Sequence, residues 1–344
     1  TWYASGIEPD VMQVGAQYVG LLAPQGLILP LDPFVKDWPD LADFPKAVVG
    51  DATYNGHIFD VPYRLDQRGF FYRKDLFAQS GLDPTAPPTT WDALASTAKK
   101  LTIMAENGKF KQSGMSINNA DQLYALFLLQ AGGHYISEDL HHVLINSPEA
   151  IQAMQFESDL VNQYHVSPPN GFGSITSTSS PSAMSYGGVG AIIDPPEGTE
   201  IASALPPAGP GGRAGGIWIN KWVVGAQTKD AKLAWDWIKS ISAPGTMAQL
   251  AALSGHMPPR FSMLKYSPWA DDPNWRPVYD TAGITPPFRA QVPVTNDFIH
   301  SGNQPFTQAI DDVLHNKKSP SVAFGEVQQF EQAKLDEFWK NLAR

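Results

Sequence analysis

Apolar residues recur at helical spacing in several stretches of the chain, and short continuous apolar runs lie between these stretches. Residues 89–101 predict a helix, because Thr89 and Asp92 fit a capping box and two prolines stand directly before them. Five apolar residues then share one face at spacings of three and four. They are Trp91, Leu94, Ala95, Ala98 and Leu101.

Four further helices follow from the same kind of pattern. Residues 122–131 end at a Gly-Gly pair, and Ser147 followed by Pro148 starts another helix. Residues 231–241 and 326–342 are amphipathic. We expect the buried face to hold Ala234, Trp237, Ile238 and Ile241 in the former, and Val327, Phe330, Leu335, Phe338 and Leu342 in the latter.

Short apolar runs at residues 10–14, 58–62, 69–72 and 189–193 predict strands. They alternate with the helices, which is typical of α/β layers. Because ligands bind at the carboxyl ends of strands in open α/β sheets, we expect a binding site just after the first two runs. The residues there are Gln17 and Tyr18 after the first run, and Tyr63, Arg64 and Asp66 after the second.

The composition limits the class of function. The 344 residues suggest two lobes rather than one simple core, and 43% hydrophobic with 17% charged residues fits a packed globule. A formal charge of −10 argues against nucleic acid and against an anionic membrane surface as partners. The absence of cysteine excludes disulfides and Cys-ligated zinc. No apolar stretch approaches the ~20 residues of a membrane span.

Catalytic and cofactor motifs are absent from the sequence, so we expect no cofactor and no metal. There is no Gly-x-Ser-x-Gly elbow, P-loop or dinucleotide fingerprint, and the glycine-rich segment 209–216 does not lie between a strand and a helix. The adjacent His141 and His142 point apart and have no third ligand at metal spacing. His256 is interpreted as an ordinary loop residue.

Sugar recognition requires only side chains that bind the sugar, without the precisely paired groups of a catalytic site. Aromatic faces stack on pyranose rings, while Asp, Asn, Gln and Arg side chains pair with sugar hydroxyls in a mostly desolvated cleft. Trp218 and Trp222, just after a Gly-Gly pair, are aromatic candidates, with Trp222 favoured as a core residue. A carboxylate pair for glycoside hydrolysis would be the enzymatic alternative. Its candidates are Asp66, Asp194, Glu197 and Glu200.

The order of several motifs resembles the extracytoplasmic solute-binding proteins, family 1, of carbohydrate ABC importers. Residues 6–11 read Gly-Ile-Glu-Pro-Asp-Val, and residues 25–32 read Gln-Gly-Leu-Ile-Leu-Pro-Leu-Asp. The Val-Pro at 61–62 precedes Phe-Tyr-Arg-Lys-Asp-Leu-Phe at 71–77 and Pro-Thr-Thr-Trp-Asp-Ala-Leu at 88–94. Each motif is modest alone, but their joint order makes the resemblance specific.

The resemblance implies a periplasmic-binding-protein fold, in which two α/β lobes are joined by a hinge of crossing strands and trap the ligand between them. We expect lobe 1 to comprise residues 1–65 and 219–288, and lobe 2 to comprise residues 66–218 and 289–344. The family usually begins with a strand, a helix and a second strand that this sequence lacks. We expect the first lobe to be incomplete without them.

The resemblance also implies ligand contacts near the start of the chain and after the Val-Pro motif. Asp66 occupies the place of a family carboxylate that accepts hydrogen bonds from sugar hydroxyls, and Arg64 occupies that of another common contact. Tyr63 is grouped with them. Gln17 lies where the family often has Asp, and Tyr18 is its neighbour.

The resemblance implies further ligand contacts at the Gly-Gly pair 215–216 and in the earlier loop at 185–190. Gly216 and Trp218 fall in the strand that enters the cleft, and Tyr186 replaces a stacking Trp that many members carry. Each assignment has a structural alternative: Trp218 could fill the core, Asp66 could brace the hinge, and Arg64 could pair with a surface carboxylate. Arg73 stands where the family usually has Asn, and we expect it to be exposed and structural.

The sequence therefore predicts a monomeric, periplasmic or extracellular binding protein that captures a carbohydrate by hinge closure and delivers it to a membrane permease. We expect a lipid anchor to be carried, if at all, by the missing N-terminal segment. The alternatives are a glycoside-processing enzyme that uses Asp66, and a binding protein for a non-sugar solute. An anionic sugar such as a uronate, held by Arg64, is a further alternative.

Overall fold

The structure is a computed structural model of a mixed α/β fold. It describes residues 7–51, 53–190, 195–266, 268–286, 288–289, 292, 294–299 and 304–342. The described strands are β1 (Val11–Gly15), β2 (Thr53–Tyr54), β3 (His57–Ile58), β4 (Asp60–Arg73), β5 (Ile103–Met104), β6 (Phe110–Gln112), β7 (Met184–Gly187), β8 (Ile201–Ala204) and β9 (Gly216–Val224).

The helices lie between these strands and after β9. The described α-helices are α1 (Ala16–Leu22), α2 (Asp32–Val35), α3 (Lys46–Asp51), α4 (Lys74–Gln79), α5 (Trp91–Leu101), α6 (Ala120–Gln130), α7 (Pro148–Asn162), α8 (Ala231–Ile241), α9 (Pro244–Ser254), α10 (Trp275–Ile284), α11 (Thr295–Ile299), α12 (Gln304–Leu314) and α13 (Pro320–Leu342). Two 3₁₀ helices cover Pro39–Asp43 and Phe261–Lys265. Among the described helices, none is long and apolar enough to cross a membrane.

Strand β4 takes part in two half-sheets. Its first part, from Asp60 to Arg68, pairs antiparallel with β9, which pairs in turn with β1. Its second part, from Gly69 to Arg73, pairs antiparallel with β7 and β8. The partner therefore changes between Arg68 and Gly69, inside one continuous strand.

Two large apolar cores lie against these half-sheets. One core joins α5, α6, α7, α12 and α13 to Phe70 of β4. The other joins α2, α8 and α10 to Val61 and Leu65 of β4 and also reaches Phe71. Successive residues of a strand face opposite sides, so Phe70 and Phe71 enter different cores.

Helix α5 confirms the periodicity argument, because all five residues of its predicted apolar face are buried. Its N-cap differs by one position from the prediction: the side chain of Thr90, not Thr89, accepts a hydrogen bond from the Ala93 amide at 3.2 Å. The cap of α7 is as predicted, since the Ser147 hydroxyl accepts from the Ala150 amide at 3.2 Å. Pro148 occupies the first position of that helix.

Some predicted orientations are wrong. Trp237 of α8 is 46% exposed, and Trp235 is buried in its place. In α13, Phe330 and Leu342 are also exposed. Arg73 is buried rather than exposed, because its guanidinium pairs with Asp75 at 2.6 Å and also donates to carbonyls of the segment 175–177. Its structural role stands, but in the interior.

The strand prediction also needs one correction that affects the site. The runs 58–62 and 69–72 were expected to be separate strands with ligand contacts at the end of the first. Instead, Arg64 and Asp66 lie in the middle of β4 and not at a strand end. Their side chains project from a face of the sheet. Part of the predicted strand at 189–193 lies outside the described residues.

Candidate functional site

Three half-buried charged residues alternate along the middle of β4. They are Arg64, Asp66 and Arg68, and the residues between them are buried. Because side chains two apart on a strand share a face, the three charged groups project on the same side of the first half-sheet. The alternation was a signal available in the sequence, but Arg68 was not among the predicted contacts.

The neighbouring strand β9 completes this surface. In the register, Arg64 is opposite Asn220, Asp66 is opposite Trp218, and Arg68 is opposite Gly216. Directly opposite residues of an antiparallel pair project on the same side. The polar face is defined here as Arg64, Asp66, Arg68, Gly216, Trp218 and Asn220.

Asp66, Arg68 and Trp218 are linked through the arginine. A guanidinium nitrogen of Arg68 lies 3.2 Å from Asp66 Oδ2, and Arg68 Cζ lies 5.6 Å from the centre of the Trp218 ring. The Trp218 ring also packs on Phe288, with ring centres 5.2 Å apart. Trp218 is therefore partly a core residue and partly a member of the polar face.

Gly216 makes room for the Trp218 ring. A Cβ on Gly216 would lie 2.4 Å from Trp218 Cζ3 and 2.8 Å from Leu126 Cδ2, both far inside van der Waals contact. The glycine therefore positions the indole by leaving space for it. It offers a ligand no side chain of its own.

The guanidinium of Arg64 lies over the ring of Tyr63, with Arg64 Cζ 5.3 Å from the ring centre. Its Nε atom is buried and has no hydrogen-bond partner within the described part of the chain. Tyr63 itself belongs to a buried cluster with Met247 and Met263, and its ring centre is 4.6 Å from that of Trp222. Burial raises the pKa of Tyr63 even though the Arg64 charge opposes the shift.

Two residues outside the β4–β9 pair also approach the polar face. A Cβ on Gly188, which follows β7, would lie 3.4 Å from Arg68 Nη1 and 3.7 Å from Asp66 Oδ1. The pKa of His256 is lowered by burial and by the charges of Arg64 and Arg68, while Asp66 opposes them. His256 was interpreted as an ordinary loop residue, and only the bridge between Leu65 and Met257 brings it here.

Strand β1 contributes one further polar side chain near Asn220. Gln13 Nε2 donates a hydrogen bond to Asn220 Oδ1 at 3.1 Å, and Gly15 is opposite Asn220 in the register. Gln17 lies in the first turn of α1, which follows β1 directly, and Tyr18 in the same helix is 44% exposed. The hydrogen-bonded side chains of Gln13 and Asn220 were not among the residues that the sequence analysis selected.

Tyr186 lies apart from the polar face, in the second half-sheet. It is opposite Phe70 in the register, and the two ring centres are 5.2 Å apart. Its hydroxyl accepts a hydrogen bond from Gln130 Nε2 at 3.1 Å, and burial raises its pKa well above the usual range. The structure thus gives Tyr186 packing partners in the core built around α6.

The described carboxylates of the enzymatic alternative differ in exposure, and Asp66 is half-buried. Glu197 and Glu200 are exposed, and Asp194 lies outside the described residues. Within the described ranges, no three His, Asp or Glu side chains are close enough to hold a metal ion. His141 and His142 are exposed, and the ring of His141 packs on Trp339 with centres 4.7 Å apart.

Comparison with known proteins agrees with this architecture. Residues 4–248 match the family model described as bacterial extracellular solute-binding protein. A probable ABC transporter-binding protein of Deinococcus radiodurans is 24% identical over 337 residues, which cover 93% of this chain and 78% of that protein.

Two solved structures share the fold. The sugar-binding protein MalE of Xanthomonas citri superposes with a TM-score of 0.84 at 21% identity, covering 100% of this chain and 88% of that one. A solute-binding protein of Thermotoga lettingae bound with α-D-tagatose gives a TM-score of 0.80 at 22% identity, covering 97% and 87%. The two-lobed periplasmic-binding-protein fold expected from the sequence is thereby confirmed. The chain belongs to the bacterial extracellular solute-binding protein family, and it is a binding protein of an ABC transporter rather than an enzyme.

Proposed function

We propose that this protein captures a carbohydrate on its polar face, closes its two lobes over it, and delivers it to the membrane permease of an ABC importer. The observation that carries the proposal is the placement of Asp66, Arg68 and Trp218 side by side on the part of β4 next to the partner change. A ligand on this surface touches the first half-sheet and stands beside the second.

The three side chains supply the chemistry that a sugar requires. The apolar face of the Trp218 indole can stack on pyranose C–H groups. The Asp66 carboxylate accepts hydrogen bonds from hydroxyls, and the Arg68 guanidinium donates them in a fixed fork. Because each is half-buried, closure of the lobes would remove most of the competing water.

The hinge in this proposal lies where β4 exchanges partners, between Arg68 and Gly69. Gly188, on the side of β7, already stands next to Arg68 and Asp66. A sugar bound there contacts both sides only in the closed form, so it shifts the population towards closure by its differential affinity. The protein acts as a monomer in this cycle, and the permease binds its closed form.

The proposal is tested by a thermal-shift screen with mono- and oligosaccharides, followed by calorimetry and small-angle scattering on the best ligand. A sugar at about 100 times its dissociation constant stabilises the folded state by about 2.7 kcal/mol, which is a measurable shift. The radius of gyration should fall on saturation. Absence of binding by every sugar would refute carbohydrate capture, and an unchanged radius with tight binding would refute hinge closure.

A further inference from the structure

The charges on the polar face do not balance. Two guanidinium groups and one carboxylate project from it, and the carboxylate of Asp66 already pairs with Arg68 at 3.2 Å. Arg64 makes no hydrogen bond or ion pair with any described residue, and its Nε is buried without a partner. Within the described residues, one positive charge of the polar face is therefore left without a counter-charge.

This local excess contrasts with the charge of the whole protein. The chain carries a formal charge of −10, so an anion meets repulsion over most of the surface. A cation retained beside the cleft in such a chain is a local feature of the site. It is not part of a general basic surface.

Arg64 is also held in position without an acidic partner from the described part of the chain. Its guanidinium rests on the ring of Tyr63, and that ring is fixed in turn against Trp222, with ring centres 4.6 Å apart. A stacked guanidinium keeps its planar fork free for the bidentate recognition of a carboxylate or a phosphate. The order imposed by Tyr63 and Trp222 reduces the entropy that a ligand would otherwise have to remove.

The other described charged or titratable groups near Arg64 do not supply this counter-charge. They are Asp66 and Arg68, which pair with each other, and His256, whose pKa is lowered by burial and by both arginines. His256 is therefore neutral near pH 7 and can only add a neutral hydrogen bond. Arginine does not lose its proton in proteins, so lobe closure would bury an unpaired charge unless the ligand supplies its partner.

We propose, resting on the function proposed above, that the natural solute is an acidic sugar or sugar phosphate whose anionic oxygens pair with Arg64. Its hydroxyls then bind Asp66, and its ring lies against Trp218. A carboxylate and a phosphate share the chemistry that the arginine recognises, and the ligand series below separates them.

The test compares three matched ligand series by calorimetry at low and high ionic strength. The series are the neutral hexoses glucose, galactose and mannose, their uronates, and their 6-phosphates. We expect one anionic series to bind at least about tenfold more tightly than the neutral sugars, with an affinity that falls as salt is added. The tighter of the two anionic series identifies the acidic group.

Arg64→Gln then assigns the preference to this residue. The variant should lose about tenfold or more of its affinity for the anionic ligand while its affinity for the neutral hexose stays within about twofold. Lys232→Gln is the charge-matched control, since Lys232 is exposed and pairs with Asp236 on α8. It should change neither affinity by more than about twofold.

The outcomes separate this inference from the function on which it rests. Binding of neutral sugars as tight as binding of both anionic series would overturn the anionic solute and leave carbohydrate capture intact. An equal loss of both ligands in Arg64→Gln would likewise overturn it, because the arginine would then be a general contact. If no member of the three series or of the wider sugar screen binds, both proposals fail together.

Discussion

Asp66 and Trp218 face each other across the β4–β9 pair, and Arg68 connects them by an ion pair on one side and a cation–π contact on the other. The carboxylate and the indole are therefore oriented by a shared neighbour. Residues that share a partner are energetically coupled. A substitution of Asp66 or of Trp218 should therefore shift the side chain of the other residue.

Replacement of the Asp66 carboxylate should weaken sugar binding. In Asp66→Asn the side chain keeps its shape but loses its charge, and we expect a loss of about 1.5–3 kcal/mol, the range for hydrogen bonds to charged groups. Calorimetry measures this loss of binding free energy. The ligand should be the best-binding neutral sugar, because the more positive face of the variant would attract an anionic one. The control is Asp236→Asn, an exposed carboxylate of α8. An affinity equal to that of the control would show that Asp66 only braces the strand.

Trp218 should report the ligand by fluorescence. The chain has ten tryptophans, so the informative quantity is the ligand-induced change that disappears in Trp218→Phe. We expect that variant to lose most of the change, and its affinity to fall by about 0.5–1.5 kcal/mol as the stacking surface shrinks. Trp237→Phe is the control, because Trp237 is half-exposed on α8 and should leave the response intact. A full response in Trp218→Phe would assign Trp218 to the core alone.

Gly216 should tolerate no side chain. In Gly216→Ala the new Cβ would stand 2.4 Å from Trp218 Cζ3, so the indole must move away from Arg68. Overpacking of this kind costs about 1–3 kcal/mol of folding stability, and sugar affinity should fall with it. Denaturant unfolding and calorimetry measure the two effects. Gly50→Ala is the control, since a Cβ there meets nothing within 4 Å. Unchanged affinity in Gly216→Ala would mean that the indole position does not matter to the ligand.

Local sequence information was sufficient where structure depends on near neighbours. The buried face of α5 follows from spacings of three and four within eleven residues. The pairing of Arg73 with Asp75 is equally local, although the prediction placed Arg73 at the surface. What the sequence could not supply was the segment 175–177, which covers that arginine after folding.

The candidate site was predictable only in the part that depends on residues close together in the sequence. Arg64 and Asp66 were identified from their place after the Val-Pro motif. Tyr63, which was grouped with them, lies at the register shift between Pro62 and Arg64, is buried against Met247 and Met263, and has the Arg64 guanidinium over its ring. Arg68 was accessible from the two-residue period and was missed. Asn220 and Gly188 depend on pairing between distant segments, which no local pattern in one sequence reveals.

Glu157 of α7 gives the stability a dependence on pH that does not involve the site. Its side chain is fully buried, and neither carboxylate oxygen has a hydrogen-bond partner within the described residues. Burial, with a smaller contribution from the charge of Asp121, raises its pKa well above the ordinary value of 4.5. The folded state therefore keeps a proton that the unfolded state releases, and the stability from this group is lost as pH rises above about 4.5.

Glu157→Gln removes this titration while keeping the shape of the side chain. We expect the stability of the variant relative to the wild type to rise by about 1 kcal/mol or more between pH 5 and pH 8, because the amide has no proton to release and one pKa unit corresponds to about 1.4 kcal/mol. Denaturant unfolding at pH 5, 6.5 and 8 gives the two curves. Glu337→Gln, at an exposed position of α13, should run parallel to the wild type. A parallel curve for Glu157→Gln as well would show that Glu157 is hydrated and ionised in the folded protein.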